Sequence, residues 1–109
     1  MEYRHQELSH GKWSEFSLAE QMGNIGSEVD RAVKWQDKDR EKFQNSFERA
    51  LELLDLTIQD SRWANRLQEI VRAREVLCDA LTDGKEYHSS LKQINKYFFY
   101  FALLARIQK

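Results

Sequence analysis

The chain has 109 residues, which is the length of one domain with a core of its own. Apolar residues make up 41% and charged residues 32%, a balance that is typical of globular domains and excludes a disordered chain. The formal net charge is −1 at pH 7, so the overall charge does not point to a nucleic acid or an anionic membrane as a partner. With no proline and four glycines, the composition favours helices throughout.

The first helix is predicted over residues 17–36. The segment before it, residues 1–12, is polar and has no sustained periodicity, so we expect a flexible tail followed by a single four-helix domain over 13–109. Ser17 and Glu20 have the spacing of a capping box, and Phe16 precedes them as a hydrophobic staple. The apolar face of this helix consists of Leu18, Met22, Ile25, Val29, Ala32 and Val33.

Two further helices are predicted over residues 40–59 and 62–81. The second helix has Phe43, Phe47, Ala50, Leu51, Leu54 and Ile58 at helical spacing. Asp60 or Ser61 caps the third helix, and Gly84 lies close to its end. The residues of the third helix that we expect in the core are Trp63, Leu67, Ile70, Val71, Leu77, Cys78 and Leu81.

The fourth helix is predicted to begin at a second capping box, Ser90 and Gln93, and to end near residue 107. Helices of about twenty residues that are joined by short links pack as antiparallel neighbours. The sequence therefore predicts an all-α fold, an antiparallel four-helix bundle.

A stripe of small residues borders the apolar face of the first helix. It consists of Ala19, Gly23, Gly26 and Ser27. A glycine inside a helix costs roughly 1 kcal/mol, and close approach of another helix can offset that cost. We therefore interpret the stripe as a helix-packing groove. The alternative is that the glycines admit a ligand, with Asn24 as its hydrogen-bonding partner.

Arg74 lies inside the apolar stripe of the third helix. A buried guanidinium is costly unless a carboxylate meets it, and Asp55, Glu48 and Glu28 all border apolar faces from which they could reach Arg74. The pattern thus predicts a buried polar site. The alternatives are an arginine whose head reaches solvent at a bundle edge and an anion-binding site.

Two carboxylates suggest a metal alternative. Glu52 and Asp55 have the E-x-x-D spacing that MazG-type helical nucleotide pyrophosphatases use to bind magnesium. Those enzymes also carry an upstream E-x-x-E, whereas Glu20, Asn24 and Glu28 stand here at intervals of four. We therefore prefer a solvated face without a cofactor, and we keep Mg²⁺ as the alternative.

Other chemistry has less support in the sequence. Arg62, Arg66 and Arg72 surround Trp63 and could contact nucleic acid, but Glu69, Glu75 and Asp79 interleave with them and indicate a mixed solvated face. The single cysteine, Cys78, lies among leucines and is interpreted as inert packing. Because a lone cysteine excludes an intrachain disulfide and no signal-peptide pattern is present, we expect a reducing cytoplasmic location. The most apolar run, residues 97–105, is about half as long as a membrane span.

The fourth helix is apolar on two opposite faces. Its core face is predicted to contain Leu91, Ile94, Phe98, Phe101 and Ala105, and its opposite face carries Phe99, Tyr100, Leu103 and Ile107. Leu53 and Leu56 of the second helix also fall outside their main stripe. A helix that is apolar all round must be covered all round, so we expect a homodimer or higher oligomer through these residues. The alternative is that the tail, through Tyr3, Leu8 and Trp13, covers the fourth helix.

Four segments carry a resemblance that spans most of residues 13–109. They read SLAEQMGNIGSEVDRAVKW, ERALELLDLTI, RLQEIVRAREVLCD and YFFYFALLARI. Together they resemble a family of small all-helical prokaryotic proteins to which no activity is assigned. The resemblance implies a prokaryotic cytosolic protein and brings no catalytic residue with it.

The surplus apolar surface and the lack of a complete catalytic motif favour a small interaction or assembly module that pairs with itself or with another protein. A metal-dependent nucleotide-binding or nucleotide-hydrolysing bundle is the second hypothesis, with Glu52, Asp55 and Glu28 as carboxylates, Glu20 as a further candidate, and Arg74 as the phosphate contact. A nucleic-acid accessory protein is the third.

Overall fold

A computed structural model describes residues 12–82 and 91–107. Within them, a short 3₁₀ helix (Trp13–Glu15) precedes α1 (Leu18–Trp35) and α2 (Arg40–Ile58), and a second 3₁₀ helix (Ser61–Arg66) leads into α3 (Leu67–Thr82). The last element is α4 (Leu91–Ile107). These ranges contain helices and no strand, which confirms the predicted all-α bundle. The predicted features at Gly84 and Ser90 lie outside the described residues.

Local capping sets where the helices begin. At the start of α1, the backbone N–H of Glu20 donates to Ser17 Oγ (3.1 Å) and the backbone N–H of Ser17 donates to Glu20 Oε1 (3.0 Å). This is the predicted capping box, which satisfies two N–H groups that the helix itself leaves unpaired. Asp39 caps α2 by accepting the backbone N–H of Lys42 at 3.1 Å.

α1 is the central element of the bundle. It packs against α2 on one side and against α4 on the other, while α3 makes fewer contacts with α2 and α4. Ile25 of α1 belongs to one core cluster with Leu54, Leu77 and Phe98 from the other three helices, and each of these side chains is at most 1% exposed. Burying one such side chain contributes roughly 1.5–3 kcal/mol, so this shared core holds the helices together.

The third predicted helix needs a correction at its start. Residues 61–66 form a 3₁₀ helix with non-helical angles at Trp63 (φ −101°, ψ 20°), and the α-helix begins only at Leu67. A 3₁₀ helix has 3.0 residues per turn instead of 3.6, so the face predicted from an unbroken α-helix is rotated. Leu67 was expected in the core, and that prediction is wrong because the side chain is 41% exposed.

A buried glutamine joins α1 to the second 3₁₀ helix. The side chain of Gln21 is fully buried, and its Nε2 donates to the carbonyl oxygen of Trp13 (2.8 Å) and to Asp60 Oδ2 (3.2 Å). Its Oε1 accepts the indole N–H of Trp63 at 2.9 Å. Each polar atom of this amide thus has a partner, as a buried polar group requires.

Trp13 closes the same end of the bundle. Its indole N–H donates to Thr57 Oγ1 (3.2 Å), and the ring packs edge to face on Phe16 with 5.7 Å between the ring centroids. The side chain is only 3% exposed. Trp13 is therefore anchored on α2 by this hydrogen bond and lies in the same core cluster as Ile94 and Phe98 of α4. Tyr3 and Leu8 lie outside the described residues.

Asp60 links the buried network to the surface. Its carboxylate caps the second 3₁₀ helix by accepting the backbone N–H of Arg62 (3.1 Å), and it accepts the guanidinium of Arg62 at 2.7 Å. The side-chain hydrogen bond from Arg62 lowers the pKa of Asp60 below its ordinary value of 3.8, although burial opposes this effect. Arg62 Nη2 also donates to the carbonyl oxygen of Phe16 at 2.8 Å.

We expect Asp60→Asn to destabilise the protein by about 1–2 kcal/mol at pH 7, because the amide keeps the cap but loses the charge-assisted hydrogen bonds. The pKa of Asp60 is lower in the folded chain than the ordinary value of 3.8, so its contribution is fully present above 3.8 and is lost as the pH falls below that value through the lower pKa of the folded chain. Urea denaturation of both proteins between pH 7 and pH 3 should show their stabilities converging in acid. A constant difference would contradict the assignment.

Candidate functional site

Arg74 pairs with one of the three carboxylates predicted for it. Its Nε donates to Asp55 Oδ1 at 2.8 Å, which joins α3 to α2. The two side chains are 36% and 38% exposed, so the pair lies at the edge of the bundle and not in a dry core. Ion pairs with this much exposure contribute about 0–1 kcal/mol. The position is thus a surface link between two helices.

The other two predicted partners of Arg74 lie elsewhere. Glu28 is buried (5% exposed), and Arg31 of the same helix binds its Oε1. Its Oε2 has no hydrogen-bond partner among the described residues. Glu48 is half-buried on α2. The structure thus does not assemble Arg74, Glu28 and Glu48 into one anion site.

The carboxylates of the magnesium alternative have different surroundings. Glu52 is only 4% exposed, so the prediction that it lies on a solvated face is wrong. Asp55 is engaged by Arg74. In the part of the chain that the structure describes, no three His, Cys, Asp or Glu side chains come together to hold a metal ion. No described geometry favours the E-x-x-D pair as a metal site.

The basic residues near Trp63 are divided among separate contacts. Arg62 binds Asp60 and also stacks over the Trp63 ring, with its guanidinium carbon 4.4 Å from the ring centroid. Arg66 pairs with Glu69 at 2.9 Å. Arg62 and Arg66 are thus each paired with an acidic residue of their own segment.

The predicted helix-packing groove lies where α4 meets α1. A Cβ atom built on Gly26 would stand 2.8 Å from Phe98 Cβ and 3.4 Å from the Phe98 backbone, so only glycine permits this approach. Ala19 is buried, Gly23 is half-buried and Ser27 is exposed. The stripe therefore runs from the helix contact out to the surface.

The outer face of α4 carries five of the six large apolar side chains that are exposed among the described residues. We use this name for five side chains and their exposed fractions: Phe99 58%, Tyr100 69%, Leu103 37%, Leu104 43% and Ile107 79%. Leu104 was not among the residues predicted for this face. It stands four residues after Tyr100 and three before Ile107, and this helical spacing was the signal that could have identified it.

Leu53 does not belong to this surface. It was predicted at the oligomer interface, but it is 2% exposed and part of the core, so that prediction is wrong. Leu53 shares a buried face of α2 with Ser46, Ala50 and Thr57, and two polar residues made this face look solvent-exposed in the sequence. Leu56 is partly buried against the same core.

A hollow of about 390 Å³ lies beside the outer face of α4, along its seam with α1. Its lining includes Gly23, Ser27 and Asp30 from α1 and Asn95, Phe99 and Arg106 from α4. At one end, Asn95 Nδ2 donates to Asp30 Oδ1 at 3.2 Å. The hollow thus combines a floor of small residues, an aromatic wall and charged groups.

A second groove of about 340 Å³ separates α3 from α4, and Ala73, Val76, Ile94 and Tyr97 line it. The Tyr97 hydroxyl donates to Glu69 Oε1 at 3.2 Å. Burial, with the nearby Glu69 charge, raises the pKa of Tyr97 to about 12. The phenol therefore stays protonated at neutral pH and serves as a hydrogen-bond donor between the two helices.

We expect Gly26→Ala to destabilise the fold by about 1–2 kcal/mol. Alanine usually stabilises a helix relative to glycine, but here its methyl group would overlap Phe98 and force α4 away from α1. Urea denaturation measures the change. Asn24→Ala, on the exposed side of the same helix, is the matched control and should stay within about 0.5 kcal/mol of the original protein. A Gly26→Ala protein that is more stable would show that the close approach is absent.

Comparison of the chain with protein-family models, with curated proteins and with solved structures finds no match. The resemblance to small prokaryotic helical proteins thus stays a prediction. Within residues 12–82 and 91–107, no helix has both the length and the hydropathy needed to cross a membrane. The residues of the bundle itself are the basis for a function.

Proposed function

We propose that this chain is a small helical assembly module in which two copies associate through the outer face of α4. The observation that carries the proposal is the exposure of Phe99, Tyr100 and Ile107 on one side of a helix whose other side is in the core. Isolated exposed apolar residues are normal, but contiguous ones mark interaction surfaces. Aromatic residues are also the type most enriched in the centres of protein interfaces.

The exposed area is large enough for a specific dimer. A fully exposed aromatic side chain presents on the order of 150–250 Å², so the exposed fractions of the five side chains amount to roughly 500 Å² on each copy. Two such faces would bury about 1,000 Å² in total, which is the lower limit for specific interfaces. The neighbouring hollow along α1 adds to this area, so the surface suits a homodimer of moderate affinity.

Charge also supports a second copy as the partner. The charged residues of α4 are Lys92, Lys96 and Arg106, all of them basic. The formal charge of residues 1–54 is −3 and that of residues 55–109 is +2. Asp30 of α1 lines the hollow beside the outer face of α4, so a second copy offers an acidic group to a helix that has none of its own. Such complementarity favours docking in one orientation and raises the rate of association.

We expect the wild-type chain to sediment as a dimer of twice 13.0 kDa at micromolar concentration in analytical ultracentrifugation. The double variant Tyr100→Glu/Ile107→Glu should weaken the dimer at least 100-fold, because each change removes an apolar contact and places a charge in the interface. Interface anchors of this kind typically cost about 2 kcal/mol each, which corresponds to a loss of this size or larger.

The control carries the same added charge at exposed polar positions of the other helices. Gln44→Glu/Gln68→Glu changes α2 and α3 and should leave the dimer intact. Circular dichroism of each variant establishes that the bundle is still folded. A wild-type chain that stays monomeric over the accessible concentration range would overturn the proposal, as would a double variant that dimerises like the wild type.

A further inference from the structure

The hollow between α1 and α4 has a shape and charge that suit one occupant. We infer that Phe99 of the second copy inserts into this hollow and that Asp30 pairs with the partner's Arg106. The inference rests on the proposed self-association and specifies how the two copies are arranged. It adds the hollow along α1 to the interface, whereas the proposed function rests on the exposed residues of α4 alone.

The size of the hollow fits an aromatic side chain. A protein cavity of about 150 Å³ is enough to bind benzene, and this hollow measures about 390 Å³. Gly23 has no side chain to occupy it, and Phe99, which is 58% exposed, lines its wall. An incoming ring would therefore meet the ring of Phe99, and aromatic pairs favour offset or edge-to-face contact.

Symmetry identifies Phe99 as the residue that enters. In a two-fold dimer each residue contacts the partner in the same way as its counterpart does, so a side chain next to the axis meets its own copy. Phe99 lines the hollow and is also 58% exposed. An axis passing beside Phe99 brings each Phe99 to the mouth of the other copy's hollow. One side chain thus serves both as the inserted group and as the wall.

The charges at the two ends of the hollow agree with such an axis. α1 and α4 run antiparallel. Asp30 of α1 contacts Asn95 of α4, and Gly26, four residues before Asp30, contacts Phe98, three residues after Asn95. Asp30 therefore marks one end of the hollow. Arg106 stands eleven residues after Asn95, about 16 Å along the helix, and marks the other end.

A two-fold axis between these ends places Asp30 of each copy opposite the partner's Arg106, so the pair forms twice. Lys96 also lines the hollow and follows Asn95 directly in the chain. Without Asp30, Lys96 would face the partner's Arg106 as a like charge. The carboxylate can bind Asn95 and a cation together, because an ionised carboxylate has about four acceptor positions.

The first test fills the hollow. Ser27→Trp places an indole where the partner's ring would enter, and Ser27 is exposed, so the change has little effect on the core. We expect the dissociation constant of the dimer to rise at least tenfold in analytical ultracentrifugation. The matched control is Asn24→Trp, which makes the same substitution on the exposed side of α1 away from the hollow and should leave the constant unchanged.

The second test exchanges the paired charges. Asp30→Lys alone and Arg106→Glu alone should each weaken the homodimer, because like charges then meet at both ends of the hollow. A one-to-one mixture of the two variants should form a heterodimer with near wild-type affinity, since each chain again finds an opposite charge twice. Native mass spectrometry separates the heterodimer from the homodimers, because the two variants differ in mass.

The outcomes separate this inference from the proposed function. A wild-type dimer that is lost in Tyr100→Glu/Ile107→Glu, but not in Ser27→Trp, overturns the inference and leaves the function standing. A mixture that fails to form the heterodimer also overturns the inference that Phe99 inserts into the hollow and that Asp30 pairs with the partner's Arg106. A monomeric wild-type chain overturns the function and the inference together. Recovery of the heterodimer from two weakened variants supports both.

Discussion

The contact between Gly26 and Phe98 determines which side of α4 is turned outward. Because α1 has no side chain at Gly26, the Phe98 Cβ and backbone lie against the α1 backbone, and the Phe98 ring enters the core. Successive residues of an α-helix are 100° apart, so Tyr100 and Ile107 then stand about 160–180° from Phe98. Their exposure is a consequence of this one close approach. A different rotation of α4 would bury them and expose Phe98.

The N-terminal end of α1 is fixed by hydrogen bonds instead of by close packing. Gln21 satisfies groups from Trp13, Asp60 and Trp63, which belong to two separate segments of the chain, the one before α1 and the one before α3. A buried amide is stable only when its partners are in place, so the network selects one arrangement of these segments. Apolar contacts are more tolerant of sliding. The polar cluster thus fixes how these segments are aligned with α1, while the apolar contact at Gly26 fixes how closely α4 approaches α1.

The features that the sequence predicted correctly are those with local causes. The capping box depends on Ser17 and Glu20, three residues apart, and needs no tertiary information. The core face of α4 also followed from spacing, because Ile94 and Phe98 are four residues apart on one side of a helix. Such signals survive in the folded protein because neighbouring residues of a helix determine them.

The errors concern polar residues whose burial depends on distant partners. Ser46 and Thr57 are buried, so the face of α2 that they share with Leu53 belongs to the core although its pattern is not apolar. Gln21 was overlooked for the same reason, even though it stands three residues after Leu18 and four before Ile25 on the buried face. Thr57 accepts a hydrogen bond from Trp13, and Gln21 accepts one from Trp63. In each pair the two residues are more than 40 positions apart in the chain. Periodicity contains no information about such partners.

The small-residue stripe of α1 connects the fold to the proposed assembly. At Gly26 the missing side chain is used within the chain, because α4 occupies the space directly. At Ser27 the stripe reaches solvent beside Phe99 and borders the hollow. A larger side chain at Ser27 would therefore fill the hollow, whereas a larger side chain at the adjacent Gly26 would separate α1 from α4. A bundle that needs one glycine for its own packing is thereby left with a recess beside its most apolar helix. In our proposal the same helix of a second copy fills that recess.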